Sequence, residues 1–133
     1  MNCKLHRLAL DAVLRHAERA TPRECCGVLV GREGEVLQAV EARNLADDPN
    51  RFVLDPRDHI DIRRRARAAG LSVVGFYHSH PHSPAQPSET DRAEAAYPGH
   101  LHLIVGLSAP EPEVRLFQLA DGNFVETQFV TVT

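Results

Sequence analysis

The sequence predicts a mixed α/β fold: a curved mixed β-sheet with about three helices packed against it. Three observations lead there. Leu8, Leu10, Val13, Leu14 and Ala17 recur at helical spacing near the N-terminus. Asp55-Pro56 carries the signature of a helix start, with the acid as cap and proline at the first helical position. Between and after these stretches lie short β-branched and aromatic runs such as Leu71 to Tyr77, bounded by turn residues. Without repeats or low-complexity tracts, the chain reads as one domain over residues 1–133.

The elements follow in order. Cys3 to His6 forms a short strand, and the first helix ends near Ala20. Two strands, Cys26 to Val30 and Val36 to Ala42, are joined by the turn Gly31-Arg32-Glu33-Gly34. Asn44 to Asn50 is a polar loop, and Phe52-Val53-Leu54 reads as a short strand. The second helix runs from about Pro56 to Ala69, and its Arg63, Arg64, Arg65 and Arg67 make a solvated face. The strand Leu71 to Tyr77 comes next, and Pro81 stops it because proline lacks an N–H and fixes φ. After the loop His82 to Pro87, Ser88 caps a third helix that continues through Ala96. Three strands close the chain: His102 to Leu107, Val114 to Leu119 and Phe124 to Val132.

The chemistry concentrates where the strand Leu71–Tyr77 ends. His78 and His80 leave that end two residues apart, so in extended chain they project to one face while Ser79 points away. Asp91 follows eleven residues after His80, in the first turn of the helix capped by Ser88. Three nitrogen and oxygen ligands with an open fourth position are what a catalytic zinc site needs. A water in that position ionises near neutral pH and becomes a nucleophile. Ser88-x-x-Asp91 also fits a plain capping motif, and the two roles are compatible because a capped helix is a rigid mount. Such a hydrolase needs a general base that is not a ligand. Glu24 is the last charged residue before the apolar run from Cys25 to Val30. At that edge, partial burial raises a carboxylate's pKa toward a useful value. By position alone it better fits an exposed turn carboxylate.

These residues resemble the JAMM (MPN+) zinc metalloproteases. The motif of that family is an upstream Glu, then His, Ser or Thr, His, seven residues, Ser, two residues and Asp. Glu24, His78-Ser79-His80, Pro81 through Pro87, and Ser88-Glu89-Thr90-Asp91 match it without a gap. Pro22-Arg23-Glu24-Cys25-Cys26-Gly27 and Asp55-Pro56 match further features of the prokaryotic members. The resemblance runs from about residue 4 to the C-terminus and implies an MPN-type domain with a cytidine-deaminase-like layout. It implies that His78, His80 and Asp91 bind one zinc ion with a bound water. Glu24 would take a proton from the water and pass it to the leaving amine, and Ser88 would donate to the oxyanion. The short chain is similar to the compact bacterial and archaeal members, some of which process ubiquitin-like sulfur carriers. The implied substrate is therefore a ubiquitin-like or sulfur-carrier protein with a C-terminal Gly-Gly, whose tail adds beside a sheet edge. The alternative is a non-catalytic MPN-type scaffold that binds a protein partner, although such members typically lose ligands and none is lost here. A zinc deaminase would carry H-x-E together with P-C-x-x-C, and the chain lacks that pair.

Composition adds limits. At 133 residues the domain is long enough to bury roughly two-thirds of its unfolded surface. A net charge of −3 gives no electrostatic reason for a nucleic-acid partner. No apolar run approaches the roughly 18 residues of a membrane span and no signal peptide is recognisable, so a cytoplasmic protein is expected. Oligomeric state is open. Cys3, Cys25 and Cys26 lack C-x-x-C spacing; they read as buried thiols, with one of Cys25 and Cys26 facing the core and the other not. His100 and His102 repeat the i, i+2 spacing without a carboxylate at comparable distance, which makes them the decoy for a metal site. His82 sits in the loop beside the ligands, where it could approach substrate.

Overall fold

The computed structural model describes residues 2–133. Eight strands form one sheet in the order β7-β6-β5-β4-β2-β3-β1-β8. They are β1 (Cys3–His6), β2 (Cys26–Arg32), β3 (Glu35–Ala42), β4 (Ser72–His80), β5 (Leu101–Gly106), β6 (Glu113–Ala120), β7 (Asn123–Thr127) and β8 (Phe129–Val132). The helices are α1 (Arg7–Ala20), α2 (Pro56–Ala68) and α3 (Glu89–Ala93). Strand β4 pairs parallel with β5 and antiparallel with β2, which makes the sheet mixed as expected.

The last segment shows how far the sheet curls. β7 and β8 are separated only by Gln128, yet they lie at opposite ends of the strand order. Two residues that close in sequence cannot stand on opposite edges of a flat eight-stranded sheet, so the sheet wraps until its edges meet. The continuous strand expected over Phe124 to Val132 is thereby divided in two. Its first half pairs with β6 and its second half with β1, because the closing sheet needs a partner on each side.

Each face of the sheet is covered. On one face α1 packs Ala9, Val13 and Ala17 against Leu5, Leu29, Tyr77, Leu103 and Val105. Here the periodicity reading misplaced a residue: Leu8 is 80% exposed, and Ala9 takes the core position instead. On the other face α2 packs Ile62 and Ala66 against Val28, Val30 and Phe76. Asp55 caps α2 through a 2.8 Å bond from the Arg57 N–H.

Two other expectations change. Phe52-Val53-Leu54 is not a strand; only Leu54 makes an isolated bridge, to Asn44. The segment gains its order from Asn44 instead, whose side-chain carbonyl accepts the N–H of Ala46 and of Val53. Helix α3 ends at Ala93 rather than Ala96. No described helix is long and apolar enough to cross a membrane.

Candidate metal centre and active site

Strand alternation does the first work of assembly. On β4, Phe76, His78 and His80 share one face, and Tyr77 and Ser79 occupy the other. The histidines sit inside β4 rather than beyond its end, so sheet hydrogen bonds hold their backbones. Helix α3 brings the carboxylate. Ser88 Oγ accepts the Asp91 N–H at 2.9 Å and Asp91 Oδ2 accepts the Ser88 N–H at 2.9 Å, a reciprocal capping box.

Asp91 Oδ2 then lies 3.1 Å from His78 Nε2 and 3.1 Å from His80 Nε2, with the two nitrogens 3.2 Å apart. Three ligand atoms at about 2.0–2.1 Å from a tetrahedral ion stand about 3.3–3.4 Å from one another, so this triangle fits a metal ion. Its chemistry points the same way. His80 Nδ1 donates to the Pro84 carbonyl at 2.9 Å, leaving Nε2 of the neutral ring with a bare lone pair. That lone pair faces a carboxylate, and a proton or a cation must lie between two such acceptors. Glu24 joins from the β2 side: Glu24, His78 and His80 offer ligand-type atoms all within 4.8 Å of one another.

The electrostatics separate the two carboxylates. Burial pushes Glu24 up from 4.5 to about 7; His80 opposes this and Asp91 reinforces it. Burial acts upward on Asp91 too, but the bonds with His78 and His80 outweigh it and hold Asp91 below the usual carboxylate range. Burial lowers His78, whereas for His80 the bonds with Asp91 and Pro84 overcome burial and raise it. One carboxylate is therefore held ionised, and the other is set to exchange a proton near neutrality.

Four features escaped the sequence reading. Ser79, read only as pointing away, is wholly buried; its Oγ accepts the Cys25 N–H at 2.9 Å. Asn44 donates its side-chain amide to the Glu24 carbonyl at 3.0 Å, and the Glu24 N–H donates to the Pro49 carbonyl at 3.0 Å. These bonds clamp the turn that presents Glu24. Phe52 stacks on the His78 ring at 4.4 Å between centroids. His102, the expected decoy, lines a cavity that also touches Glu24, His78 and Asp91. The Ser79 hydroxyl inside H-x-H was a legible signal; the others depend on contacts distant in sequence.

The remaining candidates fall outside the cluster. His82 is exposed and lines none of the described cavities. Cys25 and Cys26 are both buried, at 2% and 0%, as buried thiols were expected to be, and neither faces away from packed structure. Alternation does put them on opposite faces, but α1 and the α2 side cover both faces at this point. Burial pushes their thiols up to about 11 and about 12, which removes either as a nucleophile at neutral pH.

The chain is similar to known proteins along most of its length. Residues 6–120 match the family described as prokaryotic homologs of the JAB domain. The chain is 41% identical over 103 residues to a desampylase of Haloferax volcanii, covering 72% of this chain and 74% of that one. It is 32% identical over 120 residues to a CysO-cysteine peptidase of Mycobacterium tuberculosis, covering 88% and 82%. A protein of Desulfitobacterium hafniense solved in solution superimposes with a TM-score of 0.89 at 30% identity, covering 98% of this chain and 92% of that one. The chain belongs to the prokaryotic JAB-domain family, the JAMM metalloproteases. It is a hydrolase of that class.

Proposed function

We propose that the chain is a zinc-dependent peptidase or isopeptidase that cuts the amide bond after the C-terminal Gly-Gly of a ubiquitin-like or sulfur-carrier protein. The observation that carries the reading is the triangle of His78 Nε2, His80 Nε2 and Asp91 Oδ2 beside a carboxylate raised to about 7. The desampylase and the CysO-cysteine peptidase support the substrate class. A zinc ion held by His78, His80 and Asp91 would supply Lewis acidity toward the scissile carbonyl and lower the pKa of the attacking water.

The chain's own residues supply the rest. Glu24, poised near neutrality, takes the proton of the attacking water and returns it to the leaving amine. Because Ser88 Oγ accepts the Asp91 N–H, its hydroxyl proton is left to donate to the developing oxyanion. Asp91, kept ionised, offsets the positive charge in the site. The reaction is placed in the cytoplasm, in keeping with three free, buried thiols.

The test is incubation of the zinc-loaded protein with a panel of sulfur carriers bearing C-terminal extensions, read by intact mass. Cleavage immediately after Gly-Gly, abolished in Glu24→Gln, is expected. Intact carriers throughout, with full zinc occupancy, would favour a protein-binding scaffold.

A further inference from the structure

We propose that the cavity beside the metal triad is a leaving-group pocket that selects an aromatic side chain on the first residue released. The inference rests on the peptidase reading above and names a selectivity on its amine side.

The cavity measures about 220 Å³. An engineered apolar cavity of about 150 Å³ admits benzene, so this one is large enough for an aromatic ring. Its lining is of two kinds. It combines the polar cluster of Glu24, His78 and Asp91 with an aromatic cluster of Phe76, Tyr97, His102 and Phe124. The rings there already sit at aromatic packing distances: Phe76 and Tyr97 are 5.1 Å apart, and His102 meets Phe124 edge-on at 5.1 Å. His102 Nε2 is buried and has no hydrogen-bond partner. Burial, with smaller effects from His78 and His100, pushes its imidazole down to about 4, so the ring adds no charge to the pocket at neutral pH.

The cavity belongs to the amine side for two reasons. Glu24 must hand its proton to the departing nitrogen, and Glu24 lines the cavity, whereas Ser88, aimed at the oxyanion, does not. On the acyl side, the two glycines carry no side chain to fill a space that begins at the reactive atoms. The first side chain able to enter is that of the residue after the scissile bond. The Arg51–Glu94 ion pair joins the two walls at 2.5 Å and is about half exposed on each side. Exposed pairs contribute only about 0–1 kcal/mol, so the walls part readily to admit a chain.

The experiment uses the zinc-loaded protein and a carrier ending in Gly-Gly-X, with X as Phe, Ala or Glu, followed by intact mass. Phe is expected to exceed Ala by about 10- to 200-fold in kcat/KM, with Glu slowest. Ala95→Phe fills the pocket from its wall, and the Phe/Ala ratio should fall toward one. A ratio within one preparation does not depend on the fraction of active protein. Cleavage with all X within about twofold would overturn the pocket and leave the peptidase reading standing. So would a preference that follows the residue before Gly-Gly. If no carrier is cut, the peptidase reading fails, and titrating L-phenylalaninamide into the ¹⁵N-histidine-labelled zinc protein decides the pocket. A saturable His102 shift that Ala95→Phe abolishes supports it, and an unmoved His102 overturns it.

Discussion

Replacing Glu24 by glutamine should stabilise the metal-free protein above neutral pH while removing its chemistry. Burial raises the native carboxyl from 4.5 to about 7, and unfolding returns it to its ordinary value. Below pH 4.5 the group is neutral in both states, and glutamine is a near-isosteric substitute. Between 4.5 and about 7 the native state holds a proton that the unfolded chain has released. Stability therefore falls as pH rises through this window, and the loss is complete above the native pKa. A rise of about 2.5 pH units at about 1.36 kcal/mol each caps the loss at about 3 kcal/mol. Glutamine has no proton to lose, so the variant should draw ahead of wild type by up to that amount. Urea unfolding of both EDTA-treated proteins at about pH 4, 6 and 8 measures the difference. A gap that does not widen with pH, or a wild type that stays the more stable at about pH 8, would refute the desolvation argument. In the zinc-loaded protein the same substitution should keep the metal and lower kcat by about 10²- to 10⁴-fold.

The remaining predictions concern the triad and its supports. His78→Ala or His80→Ala should lose the metal, and elemental analysis finding full zinc in both would move the site elsewhere. Ser88→Ala should cost about 0.5–2 kcal/mol as a lost cap and about 10²- to 10³-fold in kcat as a lost oxyanion donor. Ser88→Asp should restore the stability but not the turnover, since an ionised carboxylate caps but cannot donate; near-wild-type kcat in zinc-replete Ser88→Ala would leave the hydroxyl only a capping role. Gly106 lets the loop over residues 83–85 lie against β5, and a Cβ there would stand 2.5 Å from the Ala85 nitrogen and 2.7 Å from the Pro84 carbonyl carbon. Gly106→Ala should therefore displace the carbonyl that orients His80 and weaken zinc affinity by about 10- to 100-fold, read by chelator competition.

Much of the site was legible in the sequence because its geometry is local. His78 and His80 share a face by strand alternation, and Ser88 and Asp91 meet through a helix cap four residues long. Asp55-Pro56 opened a helix for equally local reasons. What only the tertiary structure decided depends on partners far along the chain. The curling of the sheet split Phe124 to Val132 into strands on opposite edges. The packing of α1 and of the α2 side on the two faces buried Cys25 and Cys26 together, since alternation tells which face a residue takes but not what covers that face. Leu8 lost its core place to Ala9 because helical period leaves the exact rotation of the stripe to its packing surface. Asn44 and Pro49 clamp Glu24, and Ser79 holds the neighbouring Cys25, through contacts that reach across 20 to 54 residues. His102 remained a decoy on paper because its closeness to His78 arises only when β5 pairs with β4. Residue order determined which chemical groups this protein has, and closure of the sheet determined which of them meet.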